Sequence, residues 1–497
     1  VKRQLGSRTR DLALRFASWP SITGTADEAY FAERLVNESG VFDRIWREAI
    51  PGDPAGRSNV FALKRGRGRG TVVLTGHFDV VGTDDYGDLK DLAFKPLELL
   101  PAMIARLRNT GENPHALADL EGGEFLPGRG LLDMKAGLAA GLAAIEAYRG
   151  DANLLFLAVC DEEDRSAGMR AAVPSLASLA ADEALDIRLA ISLDAISDQG
   201  DGSAGRVAAL GSIGKQLLTA FVAGRETHAC YPGDGVNAAY LAAELLCEFE
   251  LAAELSEMTG PEIAAPPTAL HARDLKSGYN VTTPARAWVY WNTLQHRRSA
   301  ADVMRVALDL ACRAMARAAG RTGRAIPVMT YAELSAPLSA EALAAKSREL
   351  DRSSGLDLPE RSKLLTEHAW SLSGLPGPAV ILGFGSIPYP AVALEDAALE
   401  ARIAAAVAPH GLGLIHYFPG ISDMSFLGRA PGMADAANTP LAGTVFELPV
   451  PAGLPVINIG PWGRDYHHWL ERLNAPYAFD VLPRVLLDVM EAALQND

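Results

Sequence analysis

Residues 71–82 read TVVLTGHFDVVG. An unbroken apolar and β-branched run fills 71–75, then stops at His77, with Asp79 two residues on. A short apolar run of this kind reads as a strand buried on both faces, as in a parallel sheet covered by helices. In such a sheet, ligands sit in the crevice beyond the carboxyl ends of the strands. A lone histidine there means little, because polar residues cap strands everywhere. The reading depends on whether other strands end the same way.

Three more do. Asp161, Glu162 and Glu163 follow LLFLAVC, Asp194 follows LAISL, and His467 comes shortly after PVINIGPWG. Strand signals at 59–64, 71–76, 153–160 and 187–193 alternate with helix signals at 26–38, 135–148 and around 166–180, which indicates an α/β domain with a parallel sheet. The gathered donors, one or two histidines and several carboxylates, are the nitrogen and oxygen set that suits zinc. Residues 84–127 break the rhythm and read as a long excursion with its own helix, LELLPAMIARLRN.

Near 211 the pattern changes. A strand (KQLLTAFVAG), a long helix from 237, a strand pair containing YNVTTPARAWVYWN, a helix over 300–318 and a strand in IPVMTYAEL follow. This β-α-β-β-α-β order is the ferredoxin-like arrangement. From about 375 the α/β character returns with PAVILGFG, a helix at 394–407, GLIHYFP and PVINIGP. The economical division is 1–210 and 371–497 as one α/β domain, split by an inserted domain at 211–370.

Bulk properties narrow the class. The chain has 497 residues, 49% hydrophobic and 22% charged, an ordinary globular composition for more than one domain. Its formal charge of −15 argues against nucleic acid or an anionic membrane as partner. Cys160, Cys230, Cys247 and Cys312 lie far apart with no C-x-x-C, which fits a reducing cytoplasm and excludes a local thiolate zinc cluster. The first 25 residues read as an amphipathic helix and loop without the apolar core of a signal peptide, and no apolar stretch reaches transmembrane length.

Each motif has a plainer reading. DEED at 161–164 alone is a solvated acidic turn, and Asp133 in GRGLLDMKAG is an N-cap or first-turn acid facing the helix dipole. DYHHWLE could be a polar helix start. RGRGRG at 65–70 lacks the lysine and spacing of a phosphate loop, and GISDM misses G-x-S-x-G by its last residue. No H-E-x-x-H occurs.

Taken in order, TGHFDVV, PGRGLLDMKAGLAA, AVCDEED, SLDA, ETHACYPGDGVNAA, YNVTTP, FPGISDMS and GPWGRDYHHWLE resemble the di-zinc aminoacylase, carboxypeptidase and succinyl-diaminopimelate desuccinylase family of metallopeptidases. YNVTTP and GPWG are similar to its arginine-utilisation branch. The resemblance implies a zinc-peptidase-like mixed sheet flanked by helices, with an inserted ferredoxin-like α+β domain serving as lid and dimerisation surface. It implies two zinc ions per subunit, replaceable by cobalt or manganese. His77 and Asp194 would be the terminal ligands of one ion, Glu163 and His467 of the other, and Asp133 would bridge them. His467 is preferred to His468 because the family's motif places a glutamate four residues after the ligand, and Glu471 satisfies that. Asp79 would orient His77 from behind. Glu162 would be the general base, His228 would stabilise the oxyanion from a partner subunit, and Asn280 would bind the substrate's carboxylate end. The peptide after Asp133 would be cis.

Two departures stand out. The acidic-x-arginine strand expected after N-x-x-P reads YWNTLQ, so the arginine that clamps a substrate carboxylate is missing from its place, and the 84–127 excursion is longer than usual. The implied activity is amide hydrolysis of a small peptide or N-acyl amino acid by a cytoplasmic homodimer. Rival readings are a non-catalytic metal-binding ligand sensor and a single-metal aminopeptidase; retention of Glu162, which is no ligand, weighs against the sensor.

Overall fold

In the computed structural model, which describes residues 2–38, 40–351, 355–428, 437–441 and 453–495, the run at 71–76 is strand Gly70–His77. It is fourth in an eight-stranded sheet ordered Arg44–Ala49, Ser58–Lys64, Asn153–Val159, Gly70–His77, Asp186–Ser192, Val456–Asn458, Val207–Ala209 and Gly413–Ile415. Asn153–Val159 and Asp186–Ser192 flank it in parallel, and Val456–Asn458 runs parallel to the latter. Four carboxyl ends therefore open on one edge, which is what places the site.

The sheet is mixed rather than wholly parallel. Arg44–Ala49 pairs antiparallel with Ser58–Lys64, which pairs antiparallel with Asn153–Val159. The link over 50–57 is too short for the crossover that parallel neighbours need, so the chain turns back as a hairpin. Helices Lys2–Ala17, Ala136–Ala147 and Leu482–Leu494 share the main core with the sheet. Ala136–Ala147 is built of alanine, glycine and leucine and comes very close to the strand end at Leu193. A Cβ on Gly137 would lie 2.1 Å from the Leu193 carbonyl oxygen, so only glycine fits there. This approach brings the start of the helix, and Asp133 just before it, beside Asp194.

The 84–127 excursion is ordered. It forms a 3-10 turn Asp84–Leu92, helices Pro96–Thr110 and Pro114–Glu121, and a short strand Phe125–Pro127 paired with Arg472–Asn474.

The chain divides into two units, one of Val1–Ser212, Val392–Ala430 and Pro449–Asp497, the other of Ile213–Ala391 with Pro431–Leu448. The second unit holds a five-stranded sheet ordered Thr268–Asp274, Arg286–Gln295, Gly214–Ala223, Ala379–Phe384 and Val328–Thr330. Numbering only the β-α-β-β-α-β strands in chain order gives 2-3-1-4, with Ala379–Phe384 inserted between the first and fourth. That strand was assigned from its sequence to the returning α/β portion, and this is corrected: it pairs antiparallel with Gly214–Ala223 and parallel with Val328–Thr330. The physical reason is burial on both faces. Val380, Leu382 and Phe384 pack with helices Ala238–Phe249 and Ala300–Thr322, while Ala379 and Ile381 pack with Tyr331, Leu334 and Trp370 on the other side. A strand covered twice is apolar throughout and looks alike in either sheet. IPVMTYAEL also changes: after Thr330 it is a helix, Tyr331–Ser335, capped by the reciprocal Thr330 and Glu333 bonds. Among the described residues no helix is long and apolar enough to cross a membrane.

Candidate metal centre

His77 closes its strand and is 2% exposed. Its Nδ1 lies 3.0 Å from the Asp79 carbonyl oxygen, which can only accept, so Nδ1 carries a proton and Nε2 is the nitrogen turned toward the carboxylates. Nε2 faces Asp133 Oδ1 at 3.2 Å and Asp194 Oδ1 at 3.9 Å. The Asp79 carboxylate stands farther from Nδ1, at 3.7 Å. It is occupied elsewhere, accepting from the backbone N–H of Glu162 at 3.1 Å and of Glu163 at 3.2 Å. Asp79 thus fixes His77 through its main chain and the DEED turn through its side chain.

Asp133 does not cap the helix after it. Its φ/ψ are non-helical, the peptide to Met134 is cis, and the helix's N-cap position is Lys135, which makes no side-chain cap. The carboxylate faces the other way, with Oδ1 toward His77 and Oδ2 3.2 Å from His467 Nε2. The same Nε2 is 3.0 Å from Glu163 Oε1. His467 sits in a loop at φ +61°; its neighbour His468 accepts from Leu470 N and makes no such contact. His77, Asp133 and Glu163 offer ligand atoms that all lie within 4.8 Å of one another.

The electrostatics suit a cation. Burial pushes Glu163 up, pushes Glu162 well above the usual carboxylate range, and with Asp133 pushes Asp194 up to about 8. Burial alone would also raise Asp133, but hydrogen bonds from His467 and His77 hold it well below its ordinary value. Burial disfavours the His467 imidazolium, yet Asp133 and Glu163 outweigh it and raise the group to about 10. Acids held neutral and imidazoles held charged together mark a pocket short of positive charge. The donor set, imidazole nitrogens and carboxylate oxygens around a carboxylate that faces both ways, fits metal ions.

Several residues that hold the site were given no part in it from the sequence, where Glu471 served only to pick out His467. Asn458 grips Asp194 on both sides of its backbone, accepting from its N–H at 2.9 Å and donating to its carbonyl at 2.8 Å. Glu471, fully buried, accepts from Leu132 N at 3.2 Å and pairs with Arg129 at 2.8 Å; burial pushes it up to about 7 and Arg129 opposes. Arg129 also forks onto Asp85 at 2.9 Å, which ties the excursion to the Asp133 loop. Asp423, in FPGISDMS, is buried near Glu162, and burial lifts it to about 7. Apart from Glu471, which its spacing from His467 marks, these are ordinary polar residues in sequence, and only their burial gives them away.

His228 and Asn280 belong to the second unit and are not part of this cluster. Both are exposed. His228 Nδ1 accepts from Cys230 N at 3.1 Å, and Asn280 Oδ1 accepts from Thr282 Oγ1 at 2.6 Å. Asn280 lines a cleft of about 330 Å³ with Glu226, Lys276, Arg286 and Glu367. Arg286, at the head of the strand that carries YWNTLQ, pairs with Glu367 in that cleft.

Comparison with known proteins places these features in a lineage. Residues 73–439 match the family model described as peptidase family M20/M25/M40. The chain is 33% identical over 530 residues to the uncharacterized protein YqjN of Bacillus subtilis (strain 168), covering 98% of this chain and 96% of the relative. It is 28% identical over 543 residues to protein RocB of the same organism, covering 98% and 95%, in line with the arginine-utilisation likeness of YNVTTP and GPWG. A tripeptidase from Staphylococcus aureus subsp. aureus Mu50 shares the fold, with a TM-score of 0.55 at 15% identity over 99% of each chain.

Proposed function

The chain belongs to peptidase family M20/M25/M40 and is a metallopeptidase-type hydrolase, and from that premise we propose that it cleaves an amide bond in a small peptide or N-acyl amino acid with two metal ions, zinc first among them. One observation carries the reading: the two oxygens of Asp133 each lie 3.2 Å from a different imidazole, His77 and His467. A carboxylate so placed suits a bridge. His77 and Asp194 would complete one site, Glu163 and His467 the other. Bound metal ions lower the pKa of water and polarise a carbonyl oxygen.

The chain's own groups do the rest. Glu162 adjoins the donors without belonging to the His77, Asp133 and Glu163 set, and burial favours its protonated form. It accepts the proton of the attacking water and returns it to the leaving nitrogen, general base and then general acid. Asp79 keeps the Glu162 and Glu163 backbone in place for this. His228, offered by the second unit of a partner subunit in a homodimer, stabilises the oxyanion. Asn280 and the cations Lys276 and Arg286 in its cleft receive the substrate's carboxylate end, in place of the missing strand arginine.

The test is hydrolysis of a panel of dipeptides and N-acyl amino acids by metal-stripped protein reloaded with zinc, cobalt or manganese, with metal counted per subunit. Metal-dependent turnover at two ions per chain supports the reading. Binding without turnover favours the ligand sensor, and full activity at one ion favours a single-metal aminopeptidase.

A further inference from the structure

The turn that presents Glu162 and Glu163 is held by acids from two distant parts of the chain. Three consecutive N–H groups each donate to a buried carboxylate oxygen: Asp161 to Glu28 Oε2 at 3.0 Å, Glu162 to Asp79 Oδ1 at 3.1 Å, and Glu163 to Asp79 Oδ2 at 3.2 Å. Asp161 has φ +65°, a left-handed conformation that a non-glycine residue keeps only when its surroundings hold it there. Glu28, from helix Ala26–Leu35, is 0% exposed, and its other oxygen accepts from Gly24 N at 2.7 Å. A carboxylate buried this deeply needs a cation.

Arg57 supplies it. Its Nη1 lies 3.3 Å from Glu28 Oε1 and donates to Asp161 Oδ1, while Nη2 and Nε fork onto Asp53 at 2.7 and 3.1 Å. One guanidinium thus joins three acids, none of them a metal donor. Burial and then Asp79 lift Glu28 to about 7, and Arg57 opposes that rise. Glu28 and Arg57 both lie outside the span 73–439 of the family model.

We propose that Arg57 and Glu28 are positioning residues for hydrolysis, acting through Asp161 to fix where the Glu162 carboxylate stands while touching neither metal nor substrate. The inference rests on the reading of Glu162 as proton acceptor. Glu162 and Glu163 share the hold of Asp79, but the Glu163 side chain is also fixed by His467 at 3.0 Å, so disturbing Arg57 should move the base more than the ligand. A shift of roughly 1 Å in a reacting group can cost about 10²-fold in rate.

Arg57→Lys replaces a planar guanidinium with a compact ammonium of three donors on one nitrogen, which loses the two-nitrogen fork on Asp53 that accompanies the contacts to Glu28 and Asp161. Glu28→Gln keeps the shape and one acceptor, and so guards against a variant that fails to fold. Each is made in the wild-type and Glu162→Gln backgrounds, with kcat, KM, metal content and thermal midpoint measured. In the wild-type background kcat falls ~10–100-fold, KM stays within ~3-fold and metal content is unchanged. In the Glu162→Gln background the further loss shrinks to under ~3-fold, because both changes disable the same step. Unchanged kcat overturns the inference, as does an equal loss in both backgrounds or a loss that tracks departing metal. Wild-type protein without metal-dependent hydrolysis, or Glu162→Gln with full activity, overturns the functional reading itself and takes this inference with it.

Discussion

His77, Asp133 and Asp194 in the first unit are 2, 9 and 7% exposed and face one another, whereas His228 and Asn280 in the second are exposed, with side chains that accept from Cys230 N and Thr282 Oγ1 close by in sequence. The difference fits the roles proposed for the two groups of residues. Metal donors must be aligned before the ion arrives, and burying several acids together is tolerable only around positive charge. Groups that meet a substrate can stay solvated until it binds. On the proposed reading, the donors of the first unit are set in place before any ion binds, whereas His228 and Asn280 would stay solvated until a substrate arrives.

Asp133→Ala should break this contrast most severely. It removes the carboxylate that faces both imidazoles, so both ions and essentially all turnover should be lost, as metal analysis and a hydrolysis assay would register. Two ions retained at full affinity would refute the bridging assignment. Glu162→Gln should come next, with normal metal content and kcat lower by about 10²–10⁴, the usual worth of a positioned acid–base group. Glu163→Gln should instead weaken one ion, with partial rescue by added metal. The reverse pattern would mean that the two neighbours exchange roles.

A smaller effect tests what stands behind the donors. Asn458→Ala frees the backbone of Asp194 and Glu471→Gln loosens the Asp133 loop; each should weaken metal binding about 10–100-fold, read by competition with a chelator.

The pH dependence sharpens the comparison further. His467, held at about 10 without metal, is protonated at neutral pH, so an ion must expel that proton. Apparent affinity should rise by about tenfold per pH unit for each proton displaced, with proton release visible by calorimetry in buffers of different ionisation heat. The sign for the metal-free fold is opposite. An imidazole raised from 6.5 to about 10 stabilises that fold fully below 6.5, and the contribution fades as pH rises through 10. A flat metal affinity between pH 6 and 8 would contradict the assignment of His467. The smallest effect belongs to the second unit. Asn280→Ala should raise KM by about tenfold, the worth of one hydrogen bond to a charged group, with kcat, metal content and melting midpoint nearly unchanged. A change in metal content would mean that the units are not separable in this way.

The legible part of the fold was the apolar strands with their chemistry at the ends. TVVLTGH, NLLFLAV and LAIS are nearly continuous runs, and that pattern requires a sheet covered on both faces. The strand Arg44–Ala49 was not foreseen, because RIWREA is half polar and sits at the sheet edge with one side in water. Ala379–Phe384 was found as a strand but placed in the wrong sheet, since apolar composition reports burial and not the neighbour. Likewise the sequence offered Asp133 as a helix-capping acid with equal right. Its orientation depends on Glu471, more than 300 residues away, holding the backbone before it.

Residue order alone therefore determined which groups were available: two histidines and a set of carboxylates placed where apolar strands stop, together with a second α+β segment of different rhythm. Local periodicity and strand ends are short-range properties, and short-range physics suffices to read them. The tertiary structure decided which of those groups meet. It turned His467 rather than His468 toward Asp133, gave the Asp79 carboxylate to the Glu162–Glu163 backbone instead of to His77, and set Arg57 and Glu28 behind the same turn. Those choices come from buried ionic contacts between segments far apart in sequence, whose partners are fixed only once the sheet has brought its strand ends to one edge.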